Sequence, residues 1–299
     1  MSDETPHINV CICTFRRPNL LRHLLSELQK QETKGLFTFS IVVTDNDKEE
    51  SGREVVCEFA AESPIAIAYC VQPVQNIALA RNKALENAGG EFIAFIDDDE
   101  FPEEEWLRNL LETCKAYGAD GVLGPVMPYF QEKPPNWVER GGIFERPLHN
   151  TGYRIAISDA RTGNVMFRNR ILEGTEQAFN AEFRTGGEDV DFFRRMMNKG
   201  RVFVWCNEAV VHEIVPPYRC KRSYLLKRGL LRGRNSFRQK AHRIRKVVKS
   251  LIAIPAYGVA LPFLFLTGQA YFMRYFVKLC DHLGVFMALL GINLIRERD

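Results

Sequence analysis

An α/β fold with a mainly parallel central sheet flanked by helices is predicted by two observations. Short runs alternate with longer amphipathic stretches through the first hundred residues, and the short runs are almost continuously apolar, as strands covered on both faces must be. Ile8 to Cys13 reads as the first strand. It is followed by the polar turn Thr14 to Pro18 and a helix with Leu20, Leu21, Leu24, Leu25 and Leu28 on one face. Phe39 to Thr44 is a second strand ending at Asp45-Asn46-Asp47. A helix from about Gly52 to Ala61 and a strand over Ile65 to Val71 come next. Asn76 to Asn87 reads as a helix stopped by Gly89-Gly90, and Phe92 to Ile96 as the fourth strand.

Beyond this half, a helix is expected over Glu103 to Tyr117 and a strand over Gly121 to Val126. A Pro- and Gly-rich loop, Pro128 to Gly152, carries Trp137, which either stacks on a ligand ring or anchors the loop. Thr162 to Phe167 resumes a strand. Gly186-Gly187 introduces a helix that opens Glu188-Asp189-Val190-Asp191, and Val202 to Trp205 is a last strand leading to His212. The expected division is a catalytic domain over 1–215 and a basic, apolar helical region over 216–299.

The composition, 46% hydrophobic and 26% charged, is that of globular material, and the net charge of +3 conceals a segregation. Residues 1–215 hold 23 basic and 34 acidic side chains, whereas Pro216 to Lys249 contains thirteen Lys or Arg and no Asp or Glu. Eight scattered cysteines without a C-x-x-C pair read as reduced core thiols, and no secretory signal opens the chain. No G-x-G-x-x-G follows the first strand and no P-loop lysine motif occurs, which argues against dinucleotide cofactors and Walker-type hydrolysis.

The sharpest chemical feature is Asp97-Asp98-Asp99, placed where the fourth strand should emerge into solvent. Carboxylates at the carboxyl end of a strand in an open α/β sheet suit a divalent cation and a phosphate-bearing ligand; a solvated acidic turn is the plainer alternative. Glu188 and Asp189 open a predicted helix, whose free N–H groups and dipole favour ionised carboxylates, and a capping role is equally open. His212 reads either as a metal ligand or as a satisfied strand-end histidine. Gly163-Asn164 reads either as the lining of a sugar pocket or as a tight turn.

Taken with Thr14 and Arg16 after the first strand, Asp45 after the second and Asn76 to Asn82 before the fourth, these clusters resemble the inverting family 2 glycosyltransferases of GT-A fold. The likeness covers roughly residues 8–235 and is greatest to bacterial transferases that extend lipid-linked exopolysaccharide units, succinoglycan-type glucosyltransferases among them. The resemblance implies that Thr14, Arg16, Asp45 and nearby Arg81 meet the uridine end of a UDP-sugar donor. It implies that Asp97 and Asp99 form the D-x-D pair holding Mg²⁺ or Mn²⁺, that Asp98 fills the variable middle position at the donor, and that His212 adds a metal ligand. Glu188-Asp189 becomes the acidic pair at the acceptor, with the aspartate as base.

Ser250 to Met273 has no formal charge and is long enough to span a bilayer, although Pro255, Gly258, Pro262 and Gly268 also suit a kinked or re-entrant segment. The cationic run beside it favours an anionic membrane surface over nucleic acid. Arg274 to Ile295 reads as an interfacial amphipathic helix; a helical subdomain packed on the core is the alternative. Arg228, Arg232 and Arg234 equally suit donor or acceptor diphosphates.

The expected activity is therefore metal-dependent, inverting transfer of a hexose, glucose first, to a polyprenyl-diphosphate-linked oligosaccharide. The expected place is the cytoplasmic face of the inner membrane, with a peripheral, re-entrant or single-pass attachment. The alternatives are a sugar nucleotidyltransferase, which would release pyrophosphate, and a non-catalytic membrane adaptor with a degenerate fold.

Overall fold

The computed structural model describes residues 5–183, 186–238 and 243–292. The chain divides into two compact units, one built from the described residues of Met1–Met127 with Arg146–Ile214, the other from those of Pro128–Glu145 with Val215–Asp299. Of the stretch expected to be a loop of the catalytic domain, Pro128–Glu145 thus groups with the C-terminal region and the remainder with the first unit.

In the first unit, β1 (His7–Thr14), α1 (Pro18–Leu28), β2 (Thr38–Asp45), α2 (Arg53–Glu62), β3 (Ile67–Val71), α3 (Ile77–Glu86) and β4 (Phe92–Asp97) follow the predicted alternation. Next come β5 (Glu100–Pro102), a strand of a separate three-stranded sheet, α4 (Trp106–Ala116) and β6 (Gly121–Leu123), which returns to the main sheet. After β7 (Val126–Phe130) and α5 (Asn136–Arg140) come β8 (Asn164–Arg168), α6 (Glu188–Asn198), β9 (Phe203–Trp205) and β10 (Val211–Val215). The seven-stranded sheet has the order β3-β2-β1-β4-β8-β6-β9. It is mainly parallel, with β8 antiparallel to both β4 and β6.

Period-two alternation distributes the core. Ile8, Val10 and Ile12 of β1 join Leu21, Leu24, Leu25 and Leu28 of α1 on one face, while Cys11 joins Phe95, Phe167, Phe192 and Phe193 on the other. Pro18 enters α1 in its first turn, where its missing N–H costs nothing.

The strand expected over Gly121 to Val126 is instead broken between β6 and β7. A side chain at Gly124 would lie 2.3 Å from the Ala209 carbonyl oxygen, and Pro125 has no N–H to continue a ladder. The predicted loop holds the one-and-a-half-turn helix α5, entered from Pro134-Pro135.

The second unit is helical: α5, α7 (Arg222–Arg238), α8 (Arg243–Thr267) and α9 (Gln269–Leu289). α8 runs through Pro255 and Pro262, and the chain turns at Gly268, whose φ is 124°. The helix expected from Arg274 begins earlier, at Gln269, and its expected end at Ile295 lies outside the described residues. α8 is long and apolar enough to cross a membrane by length and composition, with a mean hydropathy of 1.8 over an 18-residue window.

α7 and α9 cross at glycines. A Cβ on Gly233 would sit 1.8 Å from the Asp281 carbonyl oxygen, and one on Gly284 would sit 2.1 Å from that of Leu230. Beside this crossing, Arg232 donates to Asp281 through Nε at 2.9 Å and Nη2 at 2.8 Å. Gly233→Leu is therefore expected to destabilise the unit by about 3 kcal/mol, because backbone overlap outweighs the roughly 1 kcal/mol that a helix gains on losing glycine. Thermal melting and protease sensitivity of α7 check this; an unchanged melt would mean that the helices can separate without cost.

Candidate active site

Parallel register brings three strand ends to one edge of the sheet. Thr14 of β1 lies opposite Asp45 of β2, and Cys13 lies opposite Asp97 of β4. In an open α/β sheet this carboxyl edge is where ligands bind.

At the β1–β2 side, the Thr14 hydroxyl donates to Asp98 Oδ2 at 2.9 Å. Arg16 adopts a left-handed φ of 54°, and its Nε meets Asp47 Oδ2 at 3.1 Å with the side chain 58% exposed. Asp45 is fully buried. Its Oδ2 accepts from the Gly52 N–H at 2.7 Å and the Tyr69 hydroxyl at 2.9 Å, and its Oδ1 from the Asp47 N–H at 3.0 Å. The carboxylate expected at the uridine is thus occupied in shaping the Asp45–Gly52 loop, and Arg16 is the open side chain of this group.

The three aspartates have different surroundings. Asp98 is buried against Arg17, whose Nη1 donates at 2.7 Å, and against Thr14, so it ties the end of β4 to the end of β1. Burial pushes its carboxyl up to about 6, with Arg17 opposing the rise. Asp99 receives Arg17 Nη1 at 3.3 Å. The Asp97 side chain keeps 47% of its surface open, yet desolvation by the surrounding protein raises its carboxyl, Arg81 opposing and Asp99 adding to the rise.

A fourth acid stands with them. Glu100 is buried and accepts the Asp97 N–H at 3.2 Å; burial first and the Asp97 charge second push its carboxyl well above the ordinary range, with Arg146 opposing. Gly163 faces this pair so closely that a Cβ would lie 2.7 Å from Glu100 Oε1 and 3.2 Å from Asp97 Oδ2. A side chain there would have to displace those carboxylates.

The helix α3 carries the acids of α6 to the same place. Asn76 caps α3 by accepting the Ala78 N–H and donates to the Ala181 carbonyl at 2.9 Å, while Asn82 exchanges two hydrogen bonds with the backbone of Phe179. These bonds hold the segment that leads into Gly186-Gly187 and the start of α6. Between them, buried Arg81 donates through Nη1 to Glu188 Oε1, and its Nη2 lies 3.4 Å from Asp97 Oδ1. Burial works against its charge, but Glu188 and then Asp97 outweigh that and hold the guanidinium above its ordinary value. Arg81, expected beside the uridine, links the β4 end to the α6 start.

Asp189 sits one residue on, partly open, with Oδ1 accepting the Val190 N–H at 2.7 Å. It acts electrostatically on Arg81, and together with Glu100 on Arg161, whose pKa is lowered, chiefly by burial and by Arg146. Acids from β4, β5 and α6 therefore surround the same guanidinium groups. Glu188, by contrast, is buried, and among the described residues its Oε2 has no hydrogen-bond partner.

His212, on β10, pairs with Phe101 and stacks on its ring at 5.1 Å, with Nε2 3.3 Å from Glu103. Its neighbour Glu213, on the other face of the strand, pairs with Glu100, bonds Arg146 and bears on both Asp97 and Glu100. Asn164 does not line a pocket. It is fully buried, donates to the Pro125 and Ala209 carbonyls and accepts from Trp106 Nε1, so only Gly163 of that pair meets the acids.

Comparison with known proteins now has a site to refer to. The sequence profile described as Glycosyl transferase family 2 matches residues 9–175, which include β1, β2, α3, the aspartates and Gly163. The succinoglycan biosynthesis protein ExoM of Rhizobium meliloti (strain 1021) is 34% identical over 306 residues, spanning 99% of this chain and 97% of that one. The chain belongs to glycosyl transferase family 2. Its fold is that of the GT-A glycosyltransferases. The mannosyltransferase PcManGT of Pyrobaculum calidifontis, solved with GDP-Man and Mn²⁺, superposes with a TM-score of 0.65 at 18% identity, covering 97% of this chain and 87% of that one. S. aureus TarS 1-349 in complex with UDP superposes at 0.55 with 14% identity, covering 98% and 94%.

Proposed function

We propose that this glycosyltransferase moves a hexose, glucose first, from a UDP-sugar to a polyprenyl-diphosphate-linked oligosaccharide, with inversion, in the assembly of a bacterial exopolysaccharide. The observation that carries the reading is the Arg81 bridge, which joins Glu188 at the start of α6 to Asp97 at the end of β4. The exopolysaccharide assignment draws on the name of the Rhizobium relative, and the nucleotide-sugar donor on the UDP and GDP-Man complexes of the structural neighbours.

The donor set fits a hard divalent cation. The side chains of Asp97, Asp98, Asp99 and Glu100 at the β4 end are all carboxylates, and the carboxyls of Asp97 and Glu100 are raised first by burial and then by neighbouring acids, with Arg81 and Arg146 opposing. In this reading Asp97 and Asp99 would hold Mg²⁺ or Mn²⁺, with the rest of the shell from substrate phosphates and water. Such an ion, when bound, neutralises charge developing on the departing diphosphate.

The chain's own groups do the rest. Thr14, Arg16 and the loop shaped by Asp45 receive the nucleotide, and Asp98 keeps β1 and β4 together beneath it. Arg81 positions the α6 acids, with Glu188 as its buried anchor. Asp189 is the base: the acceptor oxygen bonds to the anomeric carbon, its proton passes to the Asp189 carboxylate, and the bond from the anomeric carbon to the diphosphate oxygen breaks. One displacement inverts the anomeric configuration. No second acid is required, in contrast to glycoside hydrolysis.

α8 and the cationic residues before it support attachment to an anionic membrane surface, and the positive-inside rule favours the cytoplasmic leaflet. The test is incubation with a panel of nucleotide sugars, membrane extract and Mn²⁺ or Mg²⁺. UDP release that a chelator abolishes and either ion restores is the expected outcome. Release of pyrophosphate, or of UDP at an unchanged rate under chelation, would overturn the metal-dependent transferase reading.

A further inference from the structure

Within the second unit, the residues around α5 and the start of α7 enclose a cavity of about 560 Å³, within the range of small-molecule sites. Three cations line it: Lys133, Lys221 and Arg222. Among the described residues none of the three makes an ion pair, and one carboxylate, Glu132, shares the rim. The wall is apolar. Trp137 of α5 stands beneath the Arg222 guanidinium at 5.6 Å, with Pro134 and Pro135 beside it.

The cavity lining also reaches the turn between α8 and α9, where apolar surface is exposed. Arg222 Nη2 donates to Gln269 Oε1 at 2.8 Å, and Gln269 begins α9 immediately after the Gly268 turn that ends α8. The last turns of α8 present Phe263, Phe265 and Leu266 with 66%, 62% and 82% of their surfaces open. A cationic cavity beside an exposed apolar helix end is the complement of an amphiphile with an anionic head.

We propose that this cavity binds the diphosphate headgroup of a membrane lipid, whose hydrocarbon chain lies along the exposed apolar side of α8. The inference rests on the lipid-linked acceptor named above and gives that acceptor a binding site. Charge count separates a diphosphate from ordinary anionic phospholipid. Three cations and one carboxylate leave two positive charges, which a sugar-bearing diphosphate diester matches and a single phosphodiester does not. Lysine and arginine are the side chains that recognise phosphate oxygens, the latter through paired donors.

The test uses the full chain and its Lys133→Gln/Lys221→Gln variant, two side chains with no ion pair to lose, with matched melting curves as the folding control. Flotation is measured with phosphatidylcholine vesicles, plain, doped with undecaprenyl diphosphate, or doped with phosphatidylglycerol to the same surface charge. The unmodified chain should favour the diphosphate vesicles over those with phosphatidylglycerol, and the variant should lose that preference by about tenfold or more. Equal binding to both anionic vesicles, or an equal loss on both, would overturn the site in favour of general surface attraction. UDP binding by calorimetry is the separating readout. If the variant loses lipid selectivity while binding UDP normally, the site is supported; if no nucleotide sugar is ever turned over yet selectivity persists, only the transferase reading falls.

Discussion

Asp189→Asn is expected to reduce transfer by about 10²–10⁴-fold, in the turnover number rather than in the Michaelis constant for the donor. The substitution is nearly isosteric, and the amide oxygen can still accept the Val190 N–H that Oδ1 accepts at 2.7 Å, so the start of α6 should be undisturbed. What is lost is the capacity to take a proton from the acceptor hydroxyl. The choice of Asp189 over Glu188 follows from their surroundings: Glu188 is buried and committed to Arg81, whereas Asp189 is partly open. Nucleotide-sugar binding measured alongside should be unchanged. Transfer at the original rate in Asp189→Asn would mean that another group is the base and would remove the acceptor-side half of the proposal.

The sheet half of this fold was readable because its signal is local. Buried parallel strands must be apolar at nearly every position, and Ile8 to Cys13, Ile41 to Val43 and Phe92 to Ile96 are. The acids at the strand ends were readable for the same reason, since three consecutive aspartates interrupt an apolar run. Contacts made across the sequence were not. Arg81 shows only as one charge in a helix, and nothing near it announces Glu188. Arg146, Arg161 and Glu213 are lone charges on three separate segments, so no spacing could group them.

Two signals could have been used more fully. His212 and Glu213 are neighbours on one strand, so their side chains take opposite faces, and Glu213 is the one that bears on Asp97 and Glu100. Glu100 follows the aspartates directly, but an acidic run reads as a solvated turn until β5 is seen to fold it inward. The second unit was legible in its charge and hydropathy. Its assembly was not, because glycine spacing in α7 says where another backbone approaches, not which one.

Arg81→Met should lower stability by about 3–5 kcal/mol, the usual result of leaving a buried charge without its partner. Glu188 is only 4% exposed, and Asp97 would lose its nearest cation as well. Thermal unfolding of the single variant should therefore begin well below that of the unmodified chain. The informative comparison is the double variant Arg81→Met/Glu188→Met, which removes both charges. A buried ion pair replaced by apolar side chains of similar size is often neutral in stability, so the double variant should recover most of the loss. Transfer should not recover with it. If the pair serves to fix the start of α6 against the end of β4, a stable chain lacking both charges lets Asp189 drift from the reacting carbon, and misplacement of about 1 Å costs roughly 10²-fold. A double variant that is both stable and fully active would show that packing alone, through Asn76 and Asn82, sets the position of α6, and that Arg81 serves the local charge balance instead.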